Sequence, residues 1–481
     1  MQLPDLTATT CRPVSPVPDV AVSGICADSR RVQPGDLFVA MPSDRAGEFI
    51  AEALRRGAAA AVCNDPALAD SGPIFALSPD GFVGQISLLA RAVLGDPSAK
   101  MRVIGITGTN GKTTCAYLLQ QCLTSLGENC AYLGTLGLKI GNKIRELANT
   151  TPFPVELWSL LADAQAAGCT HLAMEVSSHA LDQERLLGMR FEVGAFTNLS
   201  QDHLDYHATL EEYAAAKRRL FTEVGPASNP AFESVLNVDD PVGANWANTL
   251  PRVHRVSPRE SNPLVVNEVR ASSISGSLQG HAFAAPVGGT FNVENLQMVA
   301  GILLALGYKS SAVADALSQV RAVPGRFEAV PADGGPEVIV DYAHTPDALE
   351  KVLRSARALN PKGVAVVFGC GGDRDRTKRP LMAAVASEWA DRVVLTSDNP
   401  RTEDPNTILR EIAEGIEPGT DAIELIDRPA AIRHAVTAAQ VGEIVVIAGK
   451  GHEKTQTILN EKIPMDDVEL AREALSQWRP Q

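Results

Sequence analysis

The sequence predicts an α/β fold built on parallel sheets, and three observations support this prediction. Short apolar runs alternate with helical patterns along almost the whole chain, as they do when each strand is followed by a crossover helix. Several of these runs, such as VAVVFG and EIVVIAG, are rich in β-branched residues and end at a glycine-rich turn. The stretch GITGTNGKTT, residues 105–114, joins such a run to a helical pattern through a loop that contains glycines.

Three domains are predicted along the chain, at residues 1–100, 101–325 and 326–481. The first contains short strands such as DLFVAM and AAAVC around one helix. The second begins at Arg102 with the run RVIGIT, which a long amphipathic helix follows. The segment VPGRFE has proline and glycine ahead of a charged pair, a pattern that indicates a hinge between the second and third domains.

Composition and charge narrow the classes of function. The chain has 481 residues, of which 43 are basic and 57 acidic, and its net charge of −14 argues against general nucleic-acid binding. No apolar run reaches the length of a membrane span, and the start MQLPDLTATT lacks the basic and apolar regions of a signal peptide. The eight cysteines are scattered without a C-x-x-C pair, which is typical of buried thiols in a reducing compartment. We therefore expect a cytoplasmic protein with neither a nucleic-acid nor a membrane partner.

The loop between RVIGIT and the helical run TTCAYLLQQCLTSLG is the first candidate site. Such a unit aims backbone N–H groups and a helix N-terminus at one point, which suits a phosphate. Lys112 would reach the outer phosphates, and the Thr113 hydroxyl would bind Mg²⁺. An ordinary tight turn is the alternative, and Ile106, where the usual phosphate loop has glycine, argues against a standard GTPase or P-loop kinase. The predicted nucleotide-binding residues of this loop are Gly108, Thr109, Asn110, Gly111, Lys112, Thr113 and Thr114.

The segment HLAMEVSSH offers a carboxylate for a magnesium ion. Glu175 stands at the end of an apolar run, where the acidic residue of a second strand lies beside a phosphate loop. The alternative is that Glu175 is an ordinary surface charge at the end of a strand.

Lys217 interrupts the apolar face of a predicted helix, TLEEYAAAKRRLFTEV, which has Thr209 as its N-cap and Glu212 three residues later. The other residues of that face are Leu210, Tyr213, Leu220 and Phe221. One interpretation is that the lysine extends its ammonium to solvent. The other is chemical, because a lysine with a lowered pKa can react with CO₂ to form a carbamate, an anionic metal ligand. In that case His203, in the upstream segment DHLDYH, is a candidate ligand for a cation shared with Glu175 and Lys217.

Four strands are predicted in the third domain: EVIVD, VAVVFG, VVLTS and EIVVIAG. The carboxyl ends of parallel strands share one edge of a sheet, so the turns GCGGDR, DNPR and KGHE are expected to line one crevice. Arg374 and Arg401 would offer two guanidinium groups there and Glu453 an anion, a set that fits a ligand with carboxylates and an ammonium. The alternative is that these are surface charges on three separate loops.

A series of longer motifs connects these sites, and they occur in the order GTNGKTT, NTTP, MEVSSH, FTNLSQDHLDYH, AAK, FNVENL, GRFE, VDYAHTPDAL, FGCGGDRDRTKRPLM, DNPR and AGKGHE. With these motifs, residues 28–465 resemble the Mur ligase family. The resemblance implies three domains: an N-terminal UDP-binding domain, a central P-loop ATPase domain and a C-terminal Rossmann-like domain that binds the amino acid. It also implies ATP and Mg²⁺ as cofactors.

The resemblance assigns roles to the matching positions. Lys112, Glu175, His203 and Lys217 are expected to be catalytic, with Thr113, Glu175, His203 and the carbamate of Lys217 around the metal. Residues expected to meet the nucleotide besides the phosphate loop are Asn292, Asn295, Arg326, Asp341 and His344. Those expected to bind the UDP-sugar are Ala27, Ser29, Asp44, Arg45 and Ala46, and those expected to hold the muramoyl dipeptide are Asn149, Thr150, Thr151, Ser177, Gln183 and Arg185. Those expected to bind the amino acid are Arg374, Asp398, Asn399, Pro400, Arg401, Gly449 and Glu453.

The activity implied by the resemblance is the addition of meso-diaminopimelate to the D-glutamate of UDP-N-acetylmuramoyl-L-alanyl-D-glutamate by a monomer, in peptidoglycan synthesis. ATP would activate the carboxylate as an acyl phosphate, which the amine of diaminopimelate then attacks. A folylpolyglutamate synthetase and a lysine-adding Mur ligase are alternatives, and DNPR with the UDP-side residues argues against both. A nucleotide-dependent switch is an alternative of another class, which explains the phosphate loop but not the set of Arg374, Arg401 and Glu453.

Overall fold

The computed structural model describes residues 1–69, 72–202, 206–257, 264–331, 334–459 and 461–480. It confirms the predicted α/β class, since helices and strands alternate along most of the chain and parallel strand pairs predominate. The chain forms two compact units. One comprises Met1–Ser261 with Gln297–Lys309, and the other comprises Asn262–Leu296 with Ser310–Gln481.

The first unit begins with a four-stranded parallel sheet. Its strands, in spatial order, are β1 (Gly24–Cys26), β2 (Asp36–Val39), β3 (Ala60–Cys63) and β4 (Ile74–Ala76). The sequence predicted one helix here, but the structure has three: α1 (Leu3–Thr10), α2 (Ala46–Arg55) and α3 (Phe82–Val93). Most residues of helix α3 are buried, so its sequence has few of the polar positions that mark a surface helix.

The second sheet of this unit has eight strands. They are β5 (Arg102–Thr107), β6 (Cys130–Gly134), β7 (Gly137–Ile140), β8 (Lys143–Arg145), β9 (His171–Glu175), β10 (Val193–Phe196), β11 (Glu233–Asn237) and β12 (Val253–Val256). Their helices are α4 (Lys112–Ser125), α5 (Pro154–Ala166), α6 (Ser178–Asp182), α7 (Leu210–Arg219), α8 (Gly225–Ser228) and α9 (Pro241–Ala247). The spatial order is β12-β11-β10-β5-β9-β6-β7-β8. Strand β7 is antiparallel to both of its neighbours, β6 and β8. Strand β5 therefore lies between the parallel strands β10 and β9, and their carboxyl ends meet at one edge.

Within this unit, one face of the small sheet shares an apolar core with the eight-stranded sheet, and its other face packs in a separate cluster with α2. Leu37 and Phe75 of the small sheet belong to the same buried cluster as Met174 of β9. The indole Nε1 of Trp158, on α5, donates a hydrogen bond to Ser87 Oγ on α3 at 2.9 Å. Helix α3 is thereby packed between the small sheet and α5.

The second unit begins with an antiparallel sheet of three strands, which the sequence did not predict. The strands are β13 (Leu264–Val269), β14 (Ile274–Leu278) and β15 (His281–Ala285). Two helices follow them, α10 (Phe291–Ala305) and α11 (Ser310–Ser318). Helix α10 crosses the boundary between the two units, since Leu296 belongs to the second unit and Gln297 to the first.

A six-stranded sheet forms the remainder of the second unit. Its strands are β16 (Glu328–Val330), β17 (Glu337–Asp341), β18 (Val364–Phe368), β19 (Arg392–Leu395), β20 (Asp421–Glu424) and β21 (Ile444–Ala448), and a hairpin follows with β22 (Thr455–Ile458) and β23 (Glu461–Pro464). Its helices are α12 (Pro346–Arg357), α13 (Lys378–Trp389), α14 (Pro405–Ala413), α15 (Arg428–Ala438) and α16 (Asp467–Gln477). The order β16-β17-β21-β18-β19-β20 confirms the four predicted strands and adds one strand at each edge. Apolar clusters cover both faces of this sheet.

Among the described helices of the whole chain, none is long and apolar enough to cross a membrane.

Candidate active site

The glycines of the phosphate loop adopt conformations that other residues avoid. Gly108 has a φ of 147° and Gly111 a φ of 84°. A Cβ atom on Gly108 would stand 1.9 Å from Thr197 Oγ1, so no side chain fits at that position. The backbone N–H of Asn110 donates to Asn198 Oδ1 at 3.0 Å, which fixes the loop to the chain that follows β10. The loop links β5 to the N-terminus of α4, as the sequence predicted for residues 108–114.

Two lysine side chains meet at this loop. Lys112 Nζ donates to the carbonyl oxygens of Gly108 and Thr109 at 2.9 and 2.8 Å. Lys217 Nζ donates to the same Gly108 oxygen at 2.8 Å. Lys217 lies on α7, far from the loop in sequence, so the fold brings together two of the predicted catalytic residues.

The environment of Lys217 disfavours the charged form of its amine. Its side chain is 1% exposed, which excludes the interpretation that it extends to solvent. Burial lowers the pKa of Lys217 well below its ordinary value, Lys112 lowers it further, and Asp202 opposes the shift. The apolar face of the helix is shorter than predicted, because Leu210 at its start is exposed, whereas Tyr213 is buried.

Glu175 is fully buried at the carboxyl end of β9, so it is not an exposed charge at a strand end. Its Oε2 accepts a hydrogen bond from Thr113 Oγ1 at 2.9 Å. Its Oε1 accepts from the Tyr132 hydroxyl at 2.6 Å and from the Thr135 backbone N–H at 2.8 Å. Sequence reasoning missed Tyr132 and Thr135; the available signal was the short turn between Gly134 and Gly137 that follows the apolar run CAYLG.

The donors beside the phosphate loop fit a hard divalent cation. Thr113 supplies a hydroxyl and Glu175 a carboxylate, and oxygen atoms of these kinds are the ligands that Mg²⁺ prefers. Lys217 would add a further oxygen donor as its carbamate. His203, the remaining predicted ligand, lies outside the described residues. Among the described residues, no three His, Cys, Asp or Glu side chains are grouped so that they could hold a metal ion.

Five of the six residues predicted to hold the muramoyl dipeptide lie next to Glu175 or to one another. Thr151 Oγ1 donates to the Glu175 carbonyl at 2.8 Å and accepts from the Ser177 N–H at 3.1 Å. Arg185 Nη1 donates to the Thr151 carbonyl at 2.7 Å, and its Nη2 donates to Gln183 Oε1 at 2.7 Å. The hydroxyl of Thr150 is 3.1 Å from that of Thr135. The sixth residue, Asn149, is exposed on the loop before α5.

The residues predicted to bind the UDP-sugar border the small sheet and α2. Ser29 is buried, and its Oγ donates to Glu52 Oε2 at 2.6 Å. Arg45, the residue before α2, is exposed and pairs with Glu48 at 2.9 Å. The other three residues of this set are Ala27, Asp44 and Ala46, of which only Ala46 is buried.

In the second unit, the residues predicted to meet the nucleotide form two local clusters. Asn295 Nδ2 donates to Asn292 Oδ1 at 2.7 Å on α10. The Arg326 guanidinium lies 4.9 Å from the centre of the Tyr342 ring. Asp341 accepts backbone hydrogen bonds from Phe327 and Ala343; burial raises the pKa of Asp341, while Arg326 and these two N–H groups oppose the shift.

His344, the last residue of that predicted nucleotide set, precedes α12. Its Nδ1 lies 2.8 Å from the carbonyl oxygen of Tyr342. The side chain of His344 is exposed, but neighbouring protein atoms and the cations Lys378 and Arg326 lower its pKa.

The three turns predicted to bind the amino acid are neighbours in space, because β21, β18 and β19 are adjacent parallel strands. Arg401 Nη1 donates to the carbonyl of Gly372 at 2.5 Å. Arg374, on the same turn as Gly372, is exposed. A Cβ atom on Gly371 would lie 2.9 Å from Arg401 Nη1 and 3.8 Å from Arg374 Cγ, so the two arginines flank one backbone segment. The GCGGDR and DNPR turns are therefore neighbours at one edge of the sheet, while Arg374 lies on the surface.

Glu453 is held by residues of the neighbouring turns. Its Oε2 accepts from Asn399 Nδ2 at 2.8 Å and from Lys450 Nζ at 2.9 Å. Burial raises the pKa of Glu453, but Lys450 and Asn399 outweigh burial, so the net shift is downward and the carboxylate is charged. A Cβ atom on Gly449 would stand 2.6 Å from Asp398 Oδ2, which shows how closely the turns approach.

Lys450 is fully buried, and sequence reasoning missed it. Its Nζ also donates to Asn399 Oδ1 at 3.0 Å, so it joins the DNPR and KGHE turns. Pro400, the remaining predicted residue of the set, lies between Asn399 and Arg401 and is buried. The structure therefore brings together the side chains of Arg374 and Arg401, and separately those of Asn399, Lys450 and Glu453.

Comparisons with known proteins match both units. The Mur ligase middle domain family matches residues 106–303, and the Mur ligase glutamate ligase domain family matches residues 325–451. The chain is 42% identical to the UDP-N-acetylmuramoyl-L-alanyl-D-glutamate--2,6-diaminopimelate ligase of Coxiella burnetii, over 95% of this chain and 96% of that protein.

The chain is also similar to solved structures of Mur ligases. A structure of UDP-N-acetylmuramoyl-L-alanyl-D-glutamate--2,6-diaminopimelate ligase superposes with a TM-score of 0.69 at 34% identity, covering 99% of both chains. The MurF ligase of Thermotoga maritima, in complex with ADP, superposes with a TM-score of 0.64 at 20% identity, covering 95% of this chain and 97% of that one. The second similarity concerns the fold alone. Together with the family matches, these structures show that the chain has the three-domain architecture of the Mur ligases.

Proposed function

The chain belongs to the Mur ligase family, and from this premise we propose that it joins meso-diaminopimelate to the D-glutamyl carboxylate of UDP-N-acetylmuramoyl-L-alanyl-D-glutamate, with conversion of ATP to ADP and phosphate. Relatives that match over almost their full length bear the name of this ligase. Within the structure, the observation that carries the proposal is the buried amine of Lys217, which meets Lys112 at the phosphate loop.

The first step activates a carboxylate. The γ-phosphoryl group of ATP passes to the D-glutamyl carboxylate oxygen, and an acyl phosphate and ADP result. Two anions must approach each other in this step, so the ammonium of Lys112 screens the transferring group. The loop leads into the N-terminus of α4, which is proposed to face the phosphates, and Thr151 with Arg185 is proposed to hold the peptide end of the acceptor next to Glu175.

The metal site is proposed at the donors already described. Thr113, Glu175 and the carbamate of Lys217 would hold Mg²⁺, with His203 as a further ligand. When bound, Mg²⁺ neutralises charge that develops on the phosphoryl oxygens. The chain's own contribution to the carbamate is the lowered pKa of Lys217, since only an unprotonated amine reacts with CO₂.

The second step forms the amide bond. The diaminopimelate amine attacks the acyl carbon, the tetrahedral intermediate collapses, the C–O bond to phosphate breaks, and the nitrogen loses a proton. Arg374 and Arg401 are proposed to bind carboxylates of diaminopimelate, and Glu453 to receive its ammonium. Glu453 is suited to this role because Asn399 and Lys450 hold it in the charged form.

The proposed setting follows from the same reasoning. We expect a monomer that acts in the cytoplasm, where UDP-linked precursors and ATP are available, and no nucleic-acid or membrane partner. The proposed domains are 1–100 for the UDP end, 101–325 for ATP and 326–481 for the amino acid.

A phosphate-release assay tests the proposal. Release from ATP should require both the UDP-muramoyl dipeptide and meso-diaminopimelate, and the amide product should appear in equal amount. The matched control is Lys112→Ala, which should lose both signals because each charge contact to the transferring group typically contributes about 10²-fold or more in rate. Phosphate release that needs neither substrate would indicate a nucleotide-dependent switch instead.

A further inference from the structure

Arg379, on α13, is a buried cation between two carboxylates. Its side chain is fully buried, and its guanidinium binds both oxygens of Glu403, at 3.0 and 2.9 Å. Its Nη1 also donates to Glu411 Oε2 at 2.5 Å. Burying a charge destabilises a fold unless its partners are well placed, so this cluster requires that α13, α14 and the chain before α14 keep one relative position.

From this cluster, hydrogen bonds lead to the turn after β18. Arg379 Nη2 donates to the carbonyl of Gly371 at 3.3 Å. Glu403 Oε1, which Arg379 holds, accepts from the backbone N–H of Asp373 at 2.6 Å. One buried guanidinium thus fixes the GCGGDR turn directly through Gly371 and indirectly through Glu403.

The same contacts fix the DNPR turn after β19. Asp373 accepts hydrogen bonds from the Thr402 N–H at 3.2 Å and from the Thr402 Oγ1 at 2.7 Å. Asp373 and Arg401 have φ values of 54° and 52°, which non-glycine residues adopt only when their surroundings hold them. Arg374 follows Asp373 and Arg401 precedes Thr402, so the network ends at the two predicted carboxylate-binding arginines.

We infer that Arg379 is a positioning residue for the amino-acid site, which sets the separation and orientation of Arg374 and Arg401 without touching the substrate. This inference rests on the proposed function, because it takes diaminopimelate as the ligand of those two arginines. Binding a dicarboxylic amino acid by two guanidinium groups depends on their spacing, and a displacement of about 1 Å can lower activity by about 10²-fold.

The test measures KM for each substrate in Arg379→Met. A positioning role predicts a rise of about 10- to 100-fold in KM for diaminopimelate, with KM for ATP and for the UDP-muramoyl dipeptide unchanged. Arg379→Lys keeps the charge but not the paired hydrogen bonds, and it should recover part of the loss. Arg376→Met is the matched control, because Arg376 pairs with the same Glu411 from an exposed position and donates its hydrogen bonds to Glu411 rather than to Glu403. Its KM for diaminopimelate should match that of the unmodified chain.

The outcomes separate the inference from the proposed function. If the unmodified chain does not use diaminopimelate, the proposed function fails, whatever Arg379 does. If the unmodified chain is active and folded Arg379→Met has lower kcat but an unchanged KM for diaminopimelate, the role is structural only and the inference is wrong. Should Arg379→Met not fold, Thr402→Val, at an exposed position, removes the Oγ1 contact to Asp373. It should raise the same KM several-fold, and an unchanged value there would overturn the inference.

Discussion

At the scale of single residues, Lys217 combines a chemical role with an unfavourable environment. If its carbamate holds Mg²⁺, Lys217→Ala should lose nearly all activity and keep its fold, and acetate should partly restore turnover by replacing the missing carboxylate. The measurement is the rate of phosphate release with increasing acetate. Lys112→Ala is the control that acetate should not restore, because it lacks a cation rather than an anion. Full activity of Lys217→Ala would exclude the metal-ligand role.

The same residue should lower the stability of the fold. Since burial depresses the pKa of Lys217, folding favours the neutral amine, whereas the amine of the unfolded chain is protonated at neutral pH. Folding must then release a proton, which lowers the free energy of unfolding. This loss of stability is absent above the unfolded pKa of about 10.4, and it grows as the pH falls below that value. Lys217→Met should therefore raise the free energy of unfolding by about 1 kcal/mol or more at pH 7, and the gain should shrink toward pH 10.

Melting curves across that pH range, without Mg²⁺ or added bicarbonate, measure the difference. Lys143→Met is the matched control, because Lys143 is exposed on β8 and its removal should change stability little at any pH. A Lys217→Met variant less stable than the unmodified chain at pH 7 would show that the hydrogen bond to Gly108 outweighs the burial of the amine.

Arg401 should decide which amino acid is used. meso-Diaminopimelate differs from lysine by one carboxylate, so lysine would leave a guanidinium without its partner. Sites built in this way typically discriminate by about 10⁴-fold or more. Arg401→Ala should lower kcat/KM for diaminopimelate by about 100-fold without creating good use of lysine. Arg410→Ala, an exposed arginine on α14, is the control. Similar kcat/KM values for the two amino acids in the unmodified chain would contradict this reading of DNPR.

The sequence revealed some of the site residues and not others, and the difference lies in the contacts that each residue makes. Glu175 and Lys217 were recognisable because each is a charge at an apolar position, and both prove to be buried. Thr135 and Lys450 could not be recognised in this way. Thr135 donates to Glu175 and Lys450 donates to Asn399, and both of these partners are remote in sequence. Short polar residues in turns and lysines after glycines are common on surfaces, and only the tertiary contact distinguishes them.

At the scale of helices and strands, a second buried ion pair joins α15 to α16. Arg428 and Asp467 are both fully buried, with Nη2 and Oδ2 at 2.7 Å, and Arg428 also donates to the Ala448 carbonyl at the end of β21. Asp467→Asn leaves the guanidinium without its counter-charge. It should lower the free energy of unfolding by about 3–5 kcal/mol, as measured by the shift of the melting transition. Asp466→Asn is a neighbouring control, because Asp466 pairs with the exposed Lys454. Equal shifts in the two variants would show that burial of the pair contributes nothing.

The strands that the sequence predicted and those that it missed differ in burial. The runs of β17, β18 and β21 are almost entirely buried and rich in valine and isoleucine, so their strand character was evident. Edge strands such as β20 and β8 are short and largely exposed, and their mixed composition gives no period to detect. The antiparallel direction of β7 and β8 follows from the tight turns after β6 and β7, which a helical crossover would not need.

At the scale of the whole molecule, the chain has two compact units, and the candidate sites are distributed between them. The phosphate loop, Lys217 and Glu175 belong to the first unit, and Arg401 with Glu453 belongs to the second. The predicted boundary near residue 100 does not coincide with a boundary between these units, since one face of the small sheet shares a core with the central sheet. Sequence patterns mark changes of composition, whereas compactness depends on which apolar faces pack together.

The division into two compact units predicts that the chain does not unfold in a single transition. Scanning calorimetry should resolve more than one transition, and Asp467→Asn should lower the one that belongs to the second unit. meso-Diaminopimelate, added last to the chain with a non-hydrolysable ATP analogue and the UDP-muramoyl dipeptide, should raise that same transition. At about 100 times its dissociation constant, a ligand adds about 2.7 kcal/mol to the state that binds it. Arg401→Ala should abolish the shift, while Arg410→Ala keeps it. A shift confined to the transition that Asp467→Asn leaves unchanged would place the amino acid in the first unit and contradict the assignment of Arg401 and Glu453.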